Sequence, residues 1–178
     1  LLCPQSLFKI HPDNDAIYAQ VLREIPATRL VFFEGRDPRL TAAFRARLSA
    51  AGIAAERASF VPQCGHEDYL RLNMLCDVML DTLHWSGGNT SLDALACGLP
   101  IVTLPGRFMR GRQSAGMLTL MGLDELIAAD AGSYVATVAR LVRDREWRTL
   151  ISSRIQAAHG RVFDDRAPMV ALATILRG

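Results

Sequence analysis

Short apolar runs alternate with helix-patterned segments along most of this chain, and that alternation restricts the fold more than any other feature. Leu30–Glu34 is an apolar run ending at Gly35, and Ala58–Val61 is another, stopped by Pro62. Asp77–Asp81 and Pro100–Leu104 follow, the last closed by Pro105-Gly106. Near-continuous apolar runs of this length suit strands buried on both faces, as in parallel sheets. Leu1 to Ile10 offers a first strand, interrupted by Pro4. Leu126–Ala128 offers a last short one.

The intervening segments read as helices. Asp13–Glu24 carries Ile17, Val21 and Leu22 near one face, behind Pro12 and the early acids Asp13 and Asp15. Pro38–Ala51 has Leu40, Phe44 and Leu48 at four-residue spacing, with Gly52 as its stop. Glu67–Leu75, Thr90–Cys97 and Gly111–Met121 are further helices, and Ser133–Arg143, Trp147–Ala158 and Pro168–Leu176 form a helical tail. Strand–helix alternation with short loops predicts an α/β fold, a parallel sheet with helices on both faces. With 178 residues and no linker, repeat or low-complexity tract, residues 1–178 read as one domain. The chain opens on Leu1-Leu2-Cys3 without an initiator methionine, which suggests a piece of a longer polypeptide.

Composition excludes several classes. A net charge of +2 gives no reason to expect nucleic acid or an anionic membrane as partner. No apolar run approaches the roughly 20 residues of a membrane span, and no signal peptide is visible. Cys3, Cys64, Cys76 and Cys97 form no CxxC pair, so they read as reduced cysteines of a cytoplasmic protein. His11, His66, His84 and His159 match no metal-ligand spacing, and no metal or cofactor is expected.

In a doubly wound sheet, ligands bind beyond the carboxyl ends of the strands. Residues 62–69, 82–93 and 105–112 each follow a strand, so they are expected on one rim. The richest stretch runs from Trp85 to Asp93. Gly87 and Gly88 permit positive φ and close backbone approach. Asn89 or Thr90 then caps a helix, with Asp93 three residues past Thr90 in a capping-box relation. Exposed N–H groups at such a terminus hold phosphate, although an ordinary capped glycine turn explains the local sequence better. Walker and GxGxxG patterns are missing, which argues against a P-loop NTPase and a dehydrogenase.

Lys9 stands out in a chain whose cations are nearly all arginine, and it suits a point charge on a phosphate at the end of the first strand, although a solvated surface lysine is the commoner case. Arg107, Arg110 and Arg112 make a cationic turn, with Arg112 the best candidate for an anion because it opens a helix beside two glycines. No self-contained acid–base pair appears.

Together these residues resemble the C-terminal catalytic half of the O-GlcNAc transferase family, tetratricopeptide-linked glycosyltransferases of GT-B fold. The resemblance runs from about Cys3 to the final helix. It is strongest from Asp77 through Leu80-Asp81-Thr82, the Gly87–Thr90 loop and Asp93, to Ala96-Cys-Gly-Leu-Pro-Ile-Val-Thr-Leu-Pro-Gly106. It implies a Rossmann-like half of a GT-B enzyme. Lys9 would contact the donor diphosphate and stabilise the leaving group. Gly87, Gly88, Asn89 and Thr90 would hold the phosphates, and Asp93 the ribose. The Pro62–Tyr69 loop would lie against uracil, with backbone near Cys64 reading its edge.

Departures are visible. Gly88-Asn89-Thr90 stands where eukaryotic members have His-Thr-Thr, His66 where they have lysine, and Tyr69 where they have histidine. Ser6 replaces a donor-contacting glutamine, with Gln5 one place away. The loop looks more like that of bacterial relatives.

The resemblance implies an inverting transferase that moves N-acetylglucosamine or a related sugar from a UDP-sugar to protein Ser or Thr. The missing N-terminal half would supply the remaining catalytic groups, so this chain alone would transfer nothing. The alternatives are a non-catalytic nucleotide-binding or scaffold module, and a GT-B enzyme with another donor, such as a GDP-fucose transferase or a sugar-nucleotide epimerase.

Overall fold

A computed structural model describes residues 1–163 and 165–177. Five parallel strands form one sheet: β1 (Leu2–Cys3), β2 (Leu30–Phe33), β3 (Ala58–Val61), β4 (Met79–Leu80) and β5 (Ile101–Val102). Their order is β3-β2-β1-β4-β5. Leu2 pairs with Val31 on one side and Met79 on the other, so the first strand of the sequence is the central one. From β1 the chain winds outward first to one side and then to the other. Strand order therefore reverses between β1 and β4, and a crevice opens beyond their carboxyl ends.

The central strands are buried, whereas the edge strand β3 is half-buried beyond Ala58. Leu2, Cys3, Leu30, Phe32, Val78, Leu80, Ile101 and Val102 are all inaccessible to solvent. Right-handed crossovers then require helices on both faces. Helix α1 (Asp13–Glu24) packs against α2 (Pro38–Ala50) and α6 (Ala131–Arg143). On the other face α4 (Asn89–Ala96) packs against α3 (His66–Leu75) and α7 (Arg145–Ala157). Helix α5 (Gln113–Met121) and the C-terminal α8 (Ala167–Arg177) complete the chain. None of the described helices is long and apolar enough to cross a membrane.

Local sequence sets most helix boundaries. Pro38 occupies the first turn of α2 while the Asp37 side chain accepts the Arg39 N–H. At α6, Asp130 accepts the Ser133 N–H and the Ser133 side chain returns a bond to the Asp130 backbone, a reciprocal capping box. Gly122 ends α5 at φ 71°, in the left-handed region that glycine tolerates.

The structure corrects several expectations. The first strand is only Leu2–Cys3, after which Pro4 turns the chain away and Leu7–Lys9 forms a single 3-10 turn. Lys9 thus sits beyond the strand end. The runs at 77–81 and 100–104 contribute two paired residues each, because their polar ends serve the loops. Leu126–Ala128 is no strand: Asp124–Leu126 is a 3-10 turn, and Ile127 alone bridges to Thr103. Leu40 is 40% exposed, and Thr41 takes its expected place on the buried face of α2. Of the cysteines, Cys3 is the buried one, whereas Cys76 and Cys97 are half-buried.

Candidate functional site

The β4–α4 loop is held by a buried carboxylate. Asp81 ends the apolar run of β4 with its side chain inside the protein. It accepts the Gly87 N–H at 2.8 Å, the Ser86 hydroxyl at 2.6 Å and the Thr103 hydroxyl at 2.6 Å. Burial pushes its carboxyl above the usual range, and the Ser86, Thr103 and Gly87 donors pull it back. Ser86 also accepts the Ser114 N–H, and the Ser114 hydroxyl lies 2.8 Å from that of Ser91. This network ties the loop to β5, to the start of α5 and to the first turn of α4. Sequence reading took Asp81 only as a strand end and missed Ser86, Ser91, Thr103 and Ser114. A buried acid after an apolar run was the available signal, because such a group needs local donors.

Helix α4 starts differently from the expected cap. Gly88 is the N-cap, and neither Asn89 nor Thr90 bonds the helix end with its side chain. Asp93 is therefore the fifth helical residue, beyond the first turn, and no capping box forms. The glycines also serve another purpose than positive φ, which neither adopts. A Cβ on Gly87 would lie 2.7 Å from the Thr90 hydroxyl and closer still to that of Ser91. One on Gly88 would meet Gln113 at 2.8 Å. Close packing is what requires glycine here.

The backbone N–H groups of Gly88, Asn89 and Thr90 have no recorded partner among the described residues, whereas Ser91 and Leu92 already bond the Gly88 carbonyl. Free N–H groups at the positive end of a helix make an anion site. Asn89 is exposed, and Gly88, Thr90 and Asp93 are half-buried. The Asp93 carboxylate has no hydrogen-bond or ion-pair partner among the described residues.

Two adjoining clefts lie along the rim. The first, of about 660 Å³, is lined by Ser6, Phe33, Gly35, Cys64, His66 and Tyr69. Tyr69 packs against Phe33 and stacks on His66, with ring centroids 5.6 and 6.2 Å away. Burial pushes the Tyr69 hydroxyl up to about 12, and the nearby Asp93 charge acts in the same direction. The second cleft, of about 460 Å³, is lined by Lys9, His11, Arg47, His84, Trp85 and Arg110. Leu7, Phe8 and Leu40 form the ridge between the two.

Lys9, the only lysine, has no carboxylate partner among the described residues. Its ammonium lies 5.1 Å from the Trp85 ring and 5.8 Å from the Phe8 ring. The Trp85 carbonyl accepts from Gln5 at 3.2 Å and from Thr82 at 2.6 Å. The Gln5 bond fastens the segment after β1 to the loop after β4, across the reversal point, and the Thr82 bond closes that loop on itself.

The expected residues thus fall into four groups. Ser6, Cys64, His66 and Tyr69 share the first cleft, and Lys9 stands in the second. Gly87, Gly88, Asn89, Thr90 and Asp93 lie at the start of α4 and line neither cleft. Arg112 is exposed at the N-cap of α5 and is not brought to either cleft. Arg110 lines the Lys9 cleft instead, because its carbonyl accepts the Ser86 N–H at 2.7 Å and holds that turn against the β4–α4 loop. Histidine spacing indicated no metal site, yet the fold gathers His11, Asp13 and His84 within 4.8 Å of one another.

Comparison with known proteins bears on the family and the fold. The family model for glycosyl transferase family 41 matches residues 2–167. The UDP-N-acetylglucosamine–peptide N-acetylglucosaminyltransferase of Caenorhabditis elegans is 28% identical over 144 residues, covering 79% of this chain and 12% of that protein. The probable SPINDLY transferase of Arabidopsis thaliana is also 28% identical, over 78% of this chain and 16% of its own length. The chain therefore spans a small part of these curated relatives. A variant of the Thermobaculum terrenum O-GlcNAc transferase superposes with a TM-score of 0.90 at 29% identity, covering 99% of this chain and 35% of that one. Anabaena HepE in complex with UDP shares the fold at a TM-score of 0.71 and 16% identity, over 99% of this chain and 48% of its own.

Proposed function

Since this chain belongs to glycosyl transferase family 41, we propose that residues 1–178 are the donor-binding domain of a protein glycosyltransferase. The donor is a UDP-sugar, N-acetylglucosamine or a close relative, and the acceptor is a Ser or Thr hydroxyl of a protein. The observation that carries this reading is the set of free N–H groups on Gly88, Asn89 and Thr90, held on a pinned loop at the strand-order reversal. Names of relatives that include UDP-N-acetylglucosamine support the choice of donor.

The diphosphate lies against the start of α4, with the Lys9 ammonium as its countercharge. Asp93, without a partner among the described residues, accepts the ribose hydroxyls. The cleft between Cys64, His66 and Tyr69 takes the base: it is large enough for a nucleoside, and its aromatic wall suits a planar ring. As the glycosidic bond to the diphosphate breaks, negative charge grows on the leaving oxygen. Lys9 and the oriented N–H groups are already in place, so they stabilise that charge without reorganising. The sugar inverts when the acceptor attacks opposite the departing diphosphate. Acceptor-side groups belong to the other half of a GT-B enzyme, so this domain binds nucleotide weakly and transfers nothing by itself.

Calorimetry with UDP and GDP tests the proposal. The chain should bind UDP in preference to GDP. Lys9→Ala and Asp93→Ala should each weaken UDP by at least tenfold while leaving the melting midpoint unchanged. Unchanged UDP affinity in both variants, or preference for GDP, would overturn it.

A further inference from the structure

Three side chains that share no sequence motif meet on the outer lip of the Lys9 cleft. His11 precedes α1, Asp13 is the first residue of α1, and His84 belongs to the β4–α4 loop. One ligand atom from each lies within 4.8 Å of the others. His84 Nε2 is 2.7 Å from Asp13 Oδ2, and His11 Nδ1 is 3.3 Å from Asp13 Oδ1. The two imidazoles meet edge to face with centroids 4.7 Å apart.

The surrounding backbone holds this arrangement. Buried Asn14 accepts the Leu83 N–H at 2.9 Å and donates to the His11 carbonyl at 2.9 Å. One side chain thereby locks the segment after β1 to the residue before His84. His84 has φ 68°, the only positive φ among the described non-glycine residues. Residues other than glycine seldom adopt that region without support from their surroundings.

We propose that His11, Asp13 and His84 form a binding site for a divalent transition-metal ion, with zinc the best match. Two imidazoles and one carboxylate are a donor set suited to zinc, copper or nickel, whereas magnesium and calcium prefer oxygen alone. Three protein ligands leave the fourth tetrahedral position open to water or to a ligand in the cleft. Binding exchanges the His84–Asp13 hydrogen bond for metal ligation. It also releases the Asp13 N–H that now donates to His11 Nδ1 at 3.2 Å. That N–H lies at the start of α1, where water can satisfy it. All three side chains are at least half exposed, so the site is reachable without opening the fold. A bound ion would clamp α1 to the loop that carries Trp85. The inference does not rest on the donor reading and stands or falls separately.

The test is titration of the chain with Zn²⁺ against a chromophoric chelator, with Mg²⁺ as control, alongside thermal melts with and without Zn²⁺. One Zn²⁺ should bind per chain and raise the melting midpoint. Asp13→Ala and His84→Asn should each weaken Zn²⁺ by at least tenfold and remove the rise. Asparagine accepts the left-handed backbone, so His84→Asn keeps the loop conformation. A wild-type chain that binds Zn²⁺ no better than Mg²⁺ would refute the site. So would variants with unchanged affinity, which would place the ion elsewhere on the chain.

Discussion

Replacing Gly87 by alanine tests whether close packing at the start of α4 prepares the phosphate site. The added Cβ would stand 2.7 Å from the Thr90 hydroxyl and nearer still to Ser91. Ordinary heavy-atom contacts begin near about 3.5 Å, so the Thr90 hydroxyl must retreat by roughly 0.8 Å. Thr90 is half-buried, whereas Ser91 is inaccessible to solvent and its hydroxyl is engaged with Ser114. Relief therefore comes by breaking that buried contact or by displacing the first turn of α4. Overpacking of this kind costs about 1–3 kcal/mol. In a domain of this size that lowers the melting midpoint by roughly 2–12 °C.

The same displacement moves the N–H groups that would hold the diphosphate. Each hydrogen bond to a charged group contributes about 1.5–3 kcal/mol, so loss of one weakens UDP by roughly 10- to 100-fold. Ser91→Ala removes the nearest obstacle. The double variant should recover part of both losses, with a coupling of about 0.5–3 kcal/mol. Differential scanning fluorimetry and UDP calorimetry on the two single variants and the double variant measure it. If Gly87→Ala matches wild type in both assays, or if the losses are simply additive, the packing argument fails.

Two further outcomes follow from the cap of α6 and from the cysteines. The Ser133 backbone N–H, helped by its hydroxyl, holds the Asp130 carboxyl below the usual carboxylate range. A depressed folded value means the cap is fully stabilising above the unfolded value and is lost as pH falls through the folded one. Asp130→Ala should thus lower the melting midpoint at neutral pH, and the gap to wild type should close under acid; a gap independent of pH would contradict this. Burial pushes the Cys3 thiol up to about 11, whereas Cys64 is exposed. A thiol reagent read by peptide mass spectrometry should label Cys64 first and Cys3 only on unfolding, and early labelling of Cys3 would show that β1 opens readily.

The sequence by itself determined the layered architecture. Short apolar runs such as 30–34 call for cover on both faces, and the amphipathic periods of α1 and α6 mark what covers them. It also marked Lys9 and the 87–93 loop, because a rare cation and a glycine-rich helix start are local chemistry. Tertiary structure decided the rest. Strand order, with β1 central and β4 beside it, brings the segment after β1 against the loop after β4, and no local pattern encodes which strands pair. Gly87 and Gly88 permitted either positive φ or close approach, and neighbours from α4 and α5 show that close packing is what they serve. The sequence favoured Arg112 over Arg110, yet the bond from Ser86 holds the Arg110 backbone beside the Lys9 cleft. Asp81, and the His11–Asp13–His84 cluster, acquire partners across 22 and 71 residues of chain. Their roles arise from electrostatic contacts between distant segments, which only folding brings within hydrogen-bond reach.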